Sequence, residues 1–486
     1  MKTMNKLSFI LVIVTGLLFV GCSDVLQDVD PSTAISDEEA LSSAEGVDLL
    51  RASIYSKMRE SSAFTTRNLI GPGALADESS NRTGSSRYSD LSNATGTSGT
   101  AHLGNNAYYE DSYNVIQDAN LLIGGIEDEV LDQSTEEQYR GEGYALRAYA
   151  YHNLVKAFGY EPGNYDLGPE GNWDAGVPLR TGPVFSIEDV DERERATVDA
   201  VYEQILSDLD NAETLLAGVS DNSYANEAFV YGLKARVNLY AGNWDDAAEA
   251  AQNAIDLSAT LEDSEEGVAT MFDEGAGNHP EALFKIVVDP DTEPIAGSNV
   301  NNGPAAYTAQ QWVAQIPTQF VLDIYDEDDY RNGWFKPCPA SGCDAANDSE
   351  VASLKWDGNK GNLADDLPLM RVSEMYLIQA EALAKEANSP AAGVNPLQEL
   401  KDARNAGTIP AEALLSMEAF EDEILDERVR ELNFEGHRFW DLKRLGRHIP
   451  TPTGDQKIRF DSYRLLAPIG NANLNSNPEL VENPNY

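Results

Sequence analysis

The stretch NEAFVYGLKARVNLYAGNWDDAAEAAQNAID (226–256) narrows the choice of fold more than any other part of the chain. Tyr231, Ala235, Gly242, Ala247 and Ala254 fall at spacings that match a tetratricopeptide unit. Small residues let two helices approach closely, and Gly242 closes the turn between them. Such a pair cannot bury its apolar faces alone, so it demands stacked neighbours.

Candidate neighbours are present. RVSEMYLIQAEALAKEA (371–387) has the same alanine-rich first helix, and QYRGEGYALRAYAYHNLVKAFG (138–159) is similar. Helical periodicity also appears over 46–60, where Val47, Leu50, Ile54 and Met58 recur at three- and four-residue steps, and over 107–126 and 136–159. Residues 197–258 read as two helices followed by the tetratricopeptide-like stretch, and 416–446 as the last helical block. Between these lie loop-rich segments at 65–105, 160–196 and 263–370, with one clear strand candidate at Leu283–Val288. Loops of this length in a compact protein are usually functional or disordered. The predicted fold is mainly α: tetratricopeptide-like helical pairs forming a scaffold, with long loop-rich insertions and a few short strands.

The N-terminus reads as an export signal. Lys2 and Lys6 precede an apolar run, LSFILVIVTGLLFVGC (7–22), too short to span a bilayer comfortably. Val20-Gly21-Cys22, followed by Ser23-Asp24, resembles a bacterial lipoprotein cleavage site, with Phe19 departing from the usual Leu. Cys22 would then be acylated, and the chain would sit on a membrane without crossing it. An ordinary cleaved signal is the plainer alternative. Residues 23–45 read as a polar, acidic tether that becomes ordered around Asp37-Glu38-Glu39.

Acidic residues outnumber basic ones 82 to 34, a net charge of −48, which argues against a nucleic-acid partner, because phosphate binding needs a basic face. The excess is spread along the chain, and Arg outnumbers Lys. Such a diffuse acidic surface reads as adaptation to high salt, which screens self-repulsion; a calcium-dependent extracellular surface is the rival. Of the three cysteines, Cys338 and Cys343 remain after Cys22. In an exported protein they read as a disulfide closing a small ring, worth roughly 2 kcal/mol by loop entropy.

Five segments in order resemble the SusD/RagB family of surface nutrient-binding lipoproteins: CSDVLQDVDPST (22–33), GYALRAYAYHNLVKAFG (143–159), RVSEMYLIQAEALA (371–384), ERVRELNFEGHRFWDLKRLG (427–446) and the tail RLLAPIGNANLNSNPELVENPNY (464–486). Gly470-Asn471 departs slightly from the usual pattern. The resemblance covers nearly the whole chain. It implies outer-membrane localisation by a lipid anchor facing the exterior. It also implies binding of oligosaccharide or polysaccharide, and delivery to a SusC-like TonB-dependent transporter. The implied divisions are a signal (1–21), a tether (22–45), an N-terminal helical region (46–262) and a C-terminal region (263–486).

No catalytic residue, cofactor or metal site is expected. The five histidines form no HExxH pair, and no GxSxG, P-loop or dinucleotide pattern occurs. DIYDEDDYRNG (323–333) has the acid density of a calcium loop but not its ligand spacing; in the family Asp329-Tyr330-Arg331 would be a structural corner. Glu431, Glu435, His437 and Asp441 read as a structural ion-pair network, with Arg428 and Arg438 near enough to pair with the two glutamates. Arg371, Glu374 and Glu381 read likewise. A glycosidase would need a carboxylate pair in a cleft, and nothing marks one.

Sugar binding needs apolar ring faces beside planar polar groups. The family implies ligand contacts from about 71–105 and 291–340. Asp77, Asn81, Arg82, Arg87 and Tyr88 are the candidates in the first segment, and Tyr307, Trp312 and Trp334 in the second. Packing of each aromatic against the scaffold is the bland alternative. The rival functions are a peptide- or protein-binding surface scaffold and an extracellular glycoside hydrolase.

Overall fold

The computed structural model describes residues 36–60, 63–82, 85, 87–93, 106–166, 171–258, 261–273, 279–289, 303–310, 313–337, 350–358, 360, 363–451 and 456–486. Cys22, Trp312, Cys338, Cys343 and the signal segment lie outside them.

A polar cap starts each of several long helices. Ser36 accepts from Glu39 N to start a short helix at Asp37–Leu41, where the acidic tether was expected to become ordered. The main helices are α1 (Ala44–Glu60), α2 (Thr66–Leu75), α3 (Asn106–Gly124), α4 (Gln133–Phe158), α5 (Val198–Leu215), α6 (Glu227–Ala241), α7 (Trp244–Leu257), α8 (Val372–Glu386), α9 (Pro390–Ala403), α10 (Met417–Leu432), α11 (Arg438–Arg444) and α12 (Asn471–Ser476). Asp132, Thr197, Asn226 and Ser416 each accept a backbone N–H three residues on, satisfying a donor the helix start would otherwise orphan. Only one helix, α5, precedes the tetratricopeptide-like stretch, where the sequence suggested two.

α6 and α7 form the expected hairpin. Gly242 adopts φ 76° at the end of α6, and its N–H bonds the carbonyls of Asn238 and Leu239. The helices stack in chain order, α3 on α4, α4 on α5, α5 on α6 and α6 on α7. α7 then packs on α8, and α8 on α9 and α10. α7 and α8 therefore pack directly on each other although more than a hundred residues separate them in the chain. α4 has little amphipathic character because most of it, from Gly141 to Phe158, is buried on nearly every side.

The described strands form four two-stranded antiparallel sheets. β1 (Ser79–Asn81) pairs with β3 (Gln315–Pro317), and β2 (Ala282–Ile286) with β6 (Leu367–Arg371). β4 (Phe335–Pro337) pairs with β5 (Val351–Ser353), and β7 (Ile449–Pro450) with β8 (Gln456–Ile458). β2 matches the predicted strand within two residues. β6 lies against α6, where a Cβ on Gly232 would come within 2.4 Å of the Met370 sulfur. No described helix is long and apolar enough to cross a membrane.

Candidate ligand-binding face

The two loop-rich segments meet through the β1–β3 ladder, in the register Ser79↔Pro317, Ser80↔Ile316 and Asn81↔Gln315. Gln315 ties the junction together, accepting from Ser79 Oγ at 2.9 Å and donating to Asn81 Oδ1 at 2.5 Å. Asn81 Nδ2 donates to the carbonyls of Ser85 and Arg87 at 3.2 and 2.9 Å, and Ser92 Oγ donates to Asn81 Oδ1 at 2.7 Å. Asn81 thus shapes the loop that carries Arg87 and Tyr88.

Tyr88 and Tyr307 stack at 4.9 Å between centroids and 17° between planes. Two arginines flank the pair: the Arg67 guanidinium lies 5.9 Å from the Tyr88 centroid, and that of Arg87 6.0 Å from the Tyr307 centroid. Burial draws the pKa of Arg67 below the ordinary arginine value and raises that of Tyr307. Tyr307 is buried, whereas Tyr88, Arg82 and Arg87 keep part of their surface exposed. Arg82 Nε is buried without a hydrogen-bond partner, and Arg82 N donates to Ala314 O at 3.0 Å.

The backbone here is strained. Tyr88, Val313 and Leu363 have φ of 60°, 40° and 63°, a conformation that side-chain-bearing residues adopt at about 1–3 kcal/mol each. Tyr88 and Leu363 pack against the same small cluster, Ala305, Ala306, Tyr307 and Ala314, and Val313 N bonds Ala306 O at 3.2 Å. Strain concentrated in this way is common at ligand sites.

Two sequence candidates take other roles. Asp77 is 7% exposed and accepts from Arg438 Nε and Nη2 at 2.8 and 2.9 Å, so its carboxylate is consumed by an internal pair. Trp334 is 1% exposed; its indole N–H bonds Val268 O at 2.8 Å, and Lys355 Nζ lies 4.2 Å from its ring. It belongs to the core, as do Trp356 and Trp440. The structure brings Asn81, Arg82, Arg87, Tyr88 and Tyr307 together and adds Arg67. Arg67 carries no signal of such a role in the sequence, because α2 falls inside a segment that reads as loop.

The C-terminal acids form a structural network, but with different partners. Glu431 takes Arg331 at 3.1 Å, Arg371 at 2.9 Å and Arg404 at 3.0 Å; Glu435 takes Lys355 and Arg371 at 2.7 and 2.8 Å. Arg428 instead pairs with Asp441 at 2.7 Å, and Arg438 with Asp77. Glu374 and Glu381 pair with Arg236 and Arg444 at 2.6 and 2.5 Å. Asp329 accepts from Arg331 N, Nε and Nη2, forming a buried corner. Among the described residues no group of His, Cys, Asp or Glu is placed to hold a metal ion.

Residues 27–239 match a family profile described as starch-binding and associating with the outer membrane, and residues 345–486 match the SusD family profile. SusD-like protein P38 of Formosa agariphila is 26% identical over 99% of both chains, and SusD-like protein P2 of the same organism 25% identical over the same shares. The fold superposes on a SusD superfamily protein from Bacteroides thetaiotaomicron with TM-score 0.75 at 24% identity, covering 93% of this chain and 100% of that one. A laminarin-binding SusD-like protein gives TM-score 0.71 at 20% identity, covering 92% and 100%. With two profiles matched in order and relatives aligned from end to end, this chain belongs to the SusD/RagB family.

Proposed function

We propose that the protein binds oligosaccharide or polysaccharide without turning it over, and delivers it to a SusC-like TonB-dependent transporter. The observation that carries the reading is the convergence of Arg67, Arg87, Tyr88 and Tyr307 at the β1–β3 junction. Aromatic surface suits the C–H faces of a sugar ring, and forked guanidinium donors suit its hydroxyls. The partly exposed Tyr88, Arg82 and Arg87 make the contacts, Tyr307 buttresses them, and Trp312 is a further contact residue. Asn81 positions the loop. Non-enzymatic binding is supported by the C-terminal acids, which are spent in buried ion pairs and do not face a cleft.

The apolar run ending at Cys22 supports a lipid anchor at the outer membrane, and the family description supports that location. A disulfide between Cys338 and Cys343 remains part of the reading, as does the division of the chain near residue 262.

Calorimetric titration with a polysaccharide panel tests the binding, with laminarin as first probe because a structural neighbour binds it. Tyr88→Ala and Arg87→Ala each weaken the bound polysaccharide at least tenfold. Binding that is unchanged in both variants overturns the site. Failure of every polysaccharide to bind overturns the function. Copurification from outer membranes with a TonB-dependent transporter tests delivery.

A further inference from the structure

A cavity lies elsewhere on the molecule, lined by none of the residues of the β1–β3 face. Its volume is about 250 Å³, somewhat below the roughly 300–1,000 Å³ of sites that take drug-sized ligands. Its floor is one face of α3, where Tyr109, Tyr113, Asn114 and Gln117 recur at helical spacing. Pro178 and Arg180 form one wall, and Asn473, Asn477 and Leu480 the other.

Both walls are pinned. Tyr113 Oη donates to Pro178 O at 2.7 Å, Gln117 Nε2 to Val184 O at 2.6 Å and Asn120 Nδ2 to Arg180 O at 3.0 Å. Across the cavity, Asn477 Nδ2 donates to Arg193 O at 2.8 Å. Tyr109 is held from below, edge-on to Phe158 at 5.3 Å, and lies 4.7 Å from the Tyr113 ring. Asn473 Nδ2 is buried and makes no hydrogen bond.

The lining is rich in carboxamides and close to neutral. Arg180 is already neutralised by Asp191 at 3.0 Å, and Glu110 lies exposed at the rim. Such a surface recognises an uncharged, polyhydroxylated ring: tyrosines meet its C–H edge, and Asn473 and Asn114 meet its hydroxyls. We infer that this cavity is a second saccharide site, taking a single neutral sugar unit.

The test is saturation-transfer NMR on the full chain with methyl α-D-glucopyranoside, methyl β-D-galactopyranoside, methyl α-D-mannopyranoside and methyl β-D-xylopyranoside, with trialanine as the peptide probe. At least one glycoside binds wild type and Tyr88→Ala alike. Ser476→Trp, which blocks the mouth from an exposed position, and Asn473→Leu each weaken that binding at least tenfold. The inference is overturned if no glycoside binds, or if only trialanine does. It is equally overturned if both cavity variants bind as wild type, or if Tyr88→Ala alone removes the signal. The last of these outcomes leaves the β1–β3 face standing.

Discussion

Arg438 donates from Nε and Nη2 to both carboxylate oxygens of Asp77, at 2.8 and 2.9 Å, across 361 residues of chain. Asp77 immediately precedes Glu78 and β1, and Arg438 opens α11, so the candidate face hangs from the C-terminal motif. Phe434 N reinforces the link by donating to Glu78 Oε1 at 2.6 Å. Between them Gly436 sits at φ 88°, where a Cβ would come within 2.1 Å of Asn68 O; only glycine fits that contact. Removing one partner of a buried pair leaves the other charge stranded and costs about 3–5 kcal/mol. Arg438→Ala and Asp77→Ala are each expected to lose that much in urea unfolding, and the double variant less than the sum of the two. Losses that simply add would show the pair is uncoupled.

Glu431 is the hub of a second network. Burial alone would raise its carboxyl, but Arg404, Arg371 and Arg331 outweigh burial and hold it well below the usual carboxylate range. Neighbouring Glu427 is likewise lifted by burial but held down at about 2 by Arg331, Lys401 and Arg430. A carboxyl depressed in the folded state stabilises the fold above its unfolded pKa, and that contribution drains away as pH falls through the folded value. Unfolding free energy is therefore expected to fall between about pH 4.5 and pH 2. Glu427→Gln should be less stable at pH 7 and show a shallower acid slope. An equal slope in wild type and variant would refute the assignment.

Glu78 behaves in the opposite sense. Burial pushes its carboxyl up to about 8, only partly opposed by the Phe434 N–H. In the folded state it is protonated at neutral pH, whereas in the unfolded chain it ionises near pH 4.3. Its effect on stability is therefore unfavourable over that interval, growing as pH rises from about 4.3 to 8. Glu78→Gln keeps an oxygen for Phe434 N and removes the ionisation. The variant is expected to match wild type near pH 4.5 and exceed it at pH 8, measured by urea unfolding at both values. A variant no more stable at pH 8 would place the carboxyl's pKa in the ordinary range.

The helical scaffold was legible because close helix contacts require small residues at fixed spacing, as in Ala235, Gly242, Ala247 and Ala254. α2 was not. TRNLIGPGAL carries Gly71, Pro72 and Gly73, which read as loop, yet every residue from Leu69 to Leu75 is buried, and packing overrides weak propensity. The Glu431 network was legible as a network but not in its partners. Helix neighbours Arg428 and Arg438 face other acids, while Arg331, Arg371 and Arg404 arrive from distant segments. For Trp334 the residue type suggested a sugar platform, but periodicity in an irregular loop cannot say which way a ring points. Tyr88 and Tyr307 were both named from the sequence; their stacking depends on the β1–β3 pairing, which no local pattern encodes.

Among the described residues 13 Lys and Arg side chains are buried against 16 Asp and Glu, so the interior is nearly balanced and the acidic excess lies outside it. Surface repulsion opposes the compact state and weakens as the screening length drops from about 10 Å at 0.1 M salt to about 3 Å at 1 M. The buried pairs are shielded from solvent ions and change little over that range. The urea midpoint is therefore expected to rise between 0.1 M and 1 M sodium chloride, with Glu427→Gln and wild type gaining equally. Millimolar calcium should add nothing beyond its ionic strength. A midpoint insensitive to sodium chloride but raised by calcium would mean that the acidic surface binds divalent ions specifically and is not tuned to salt.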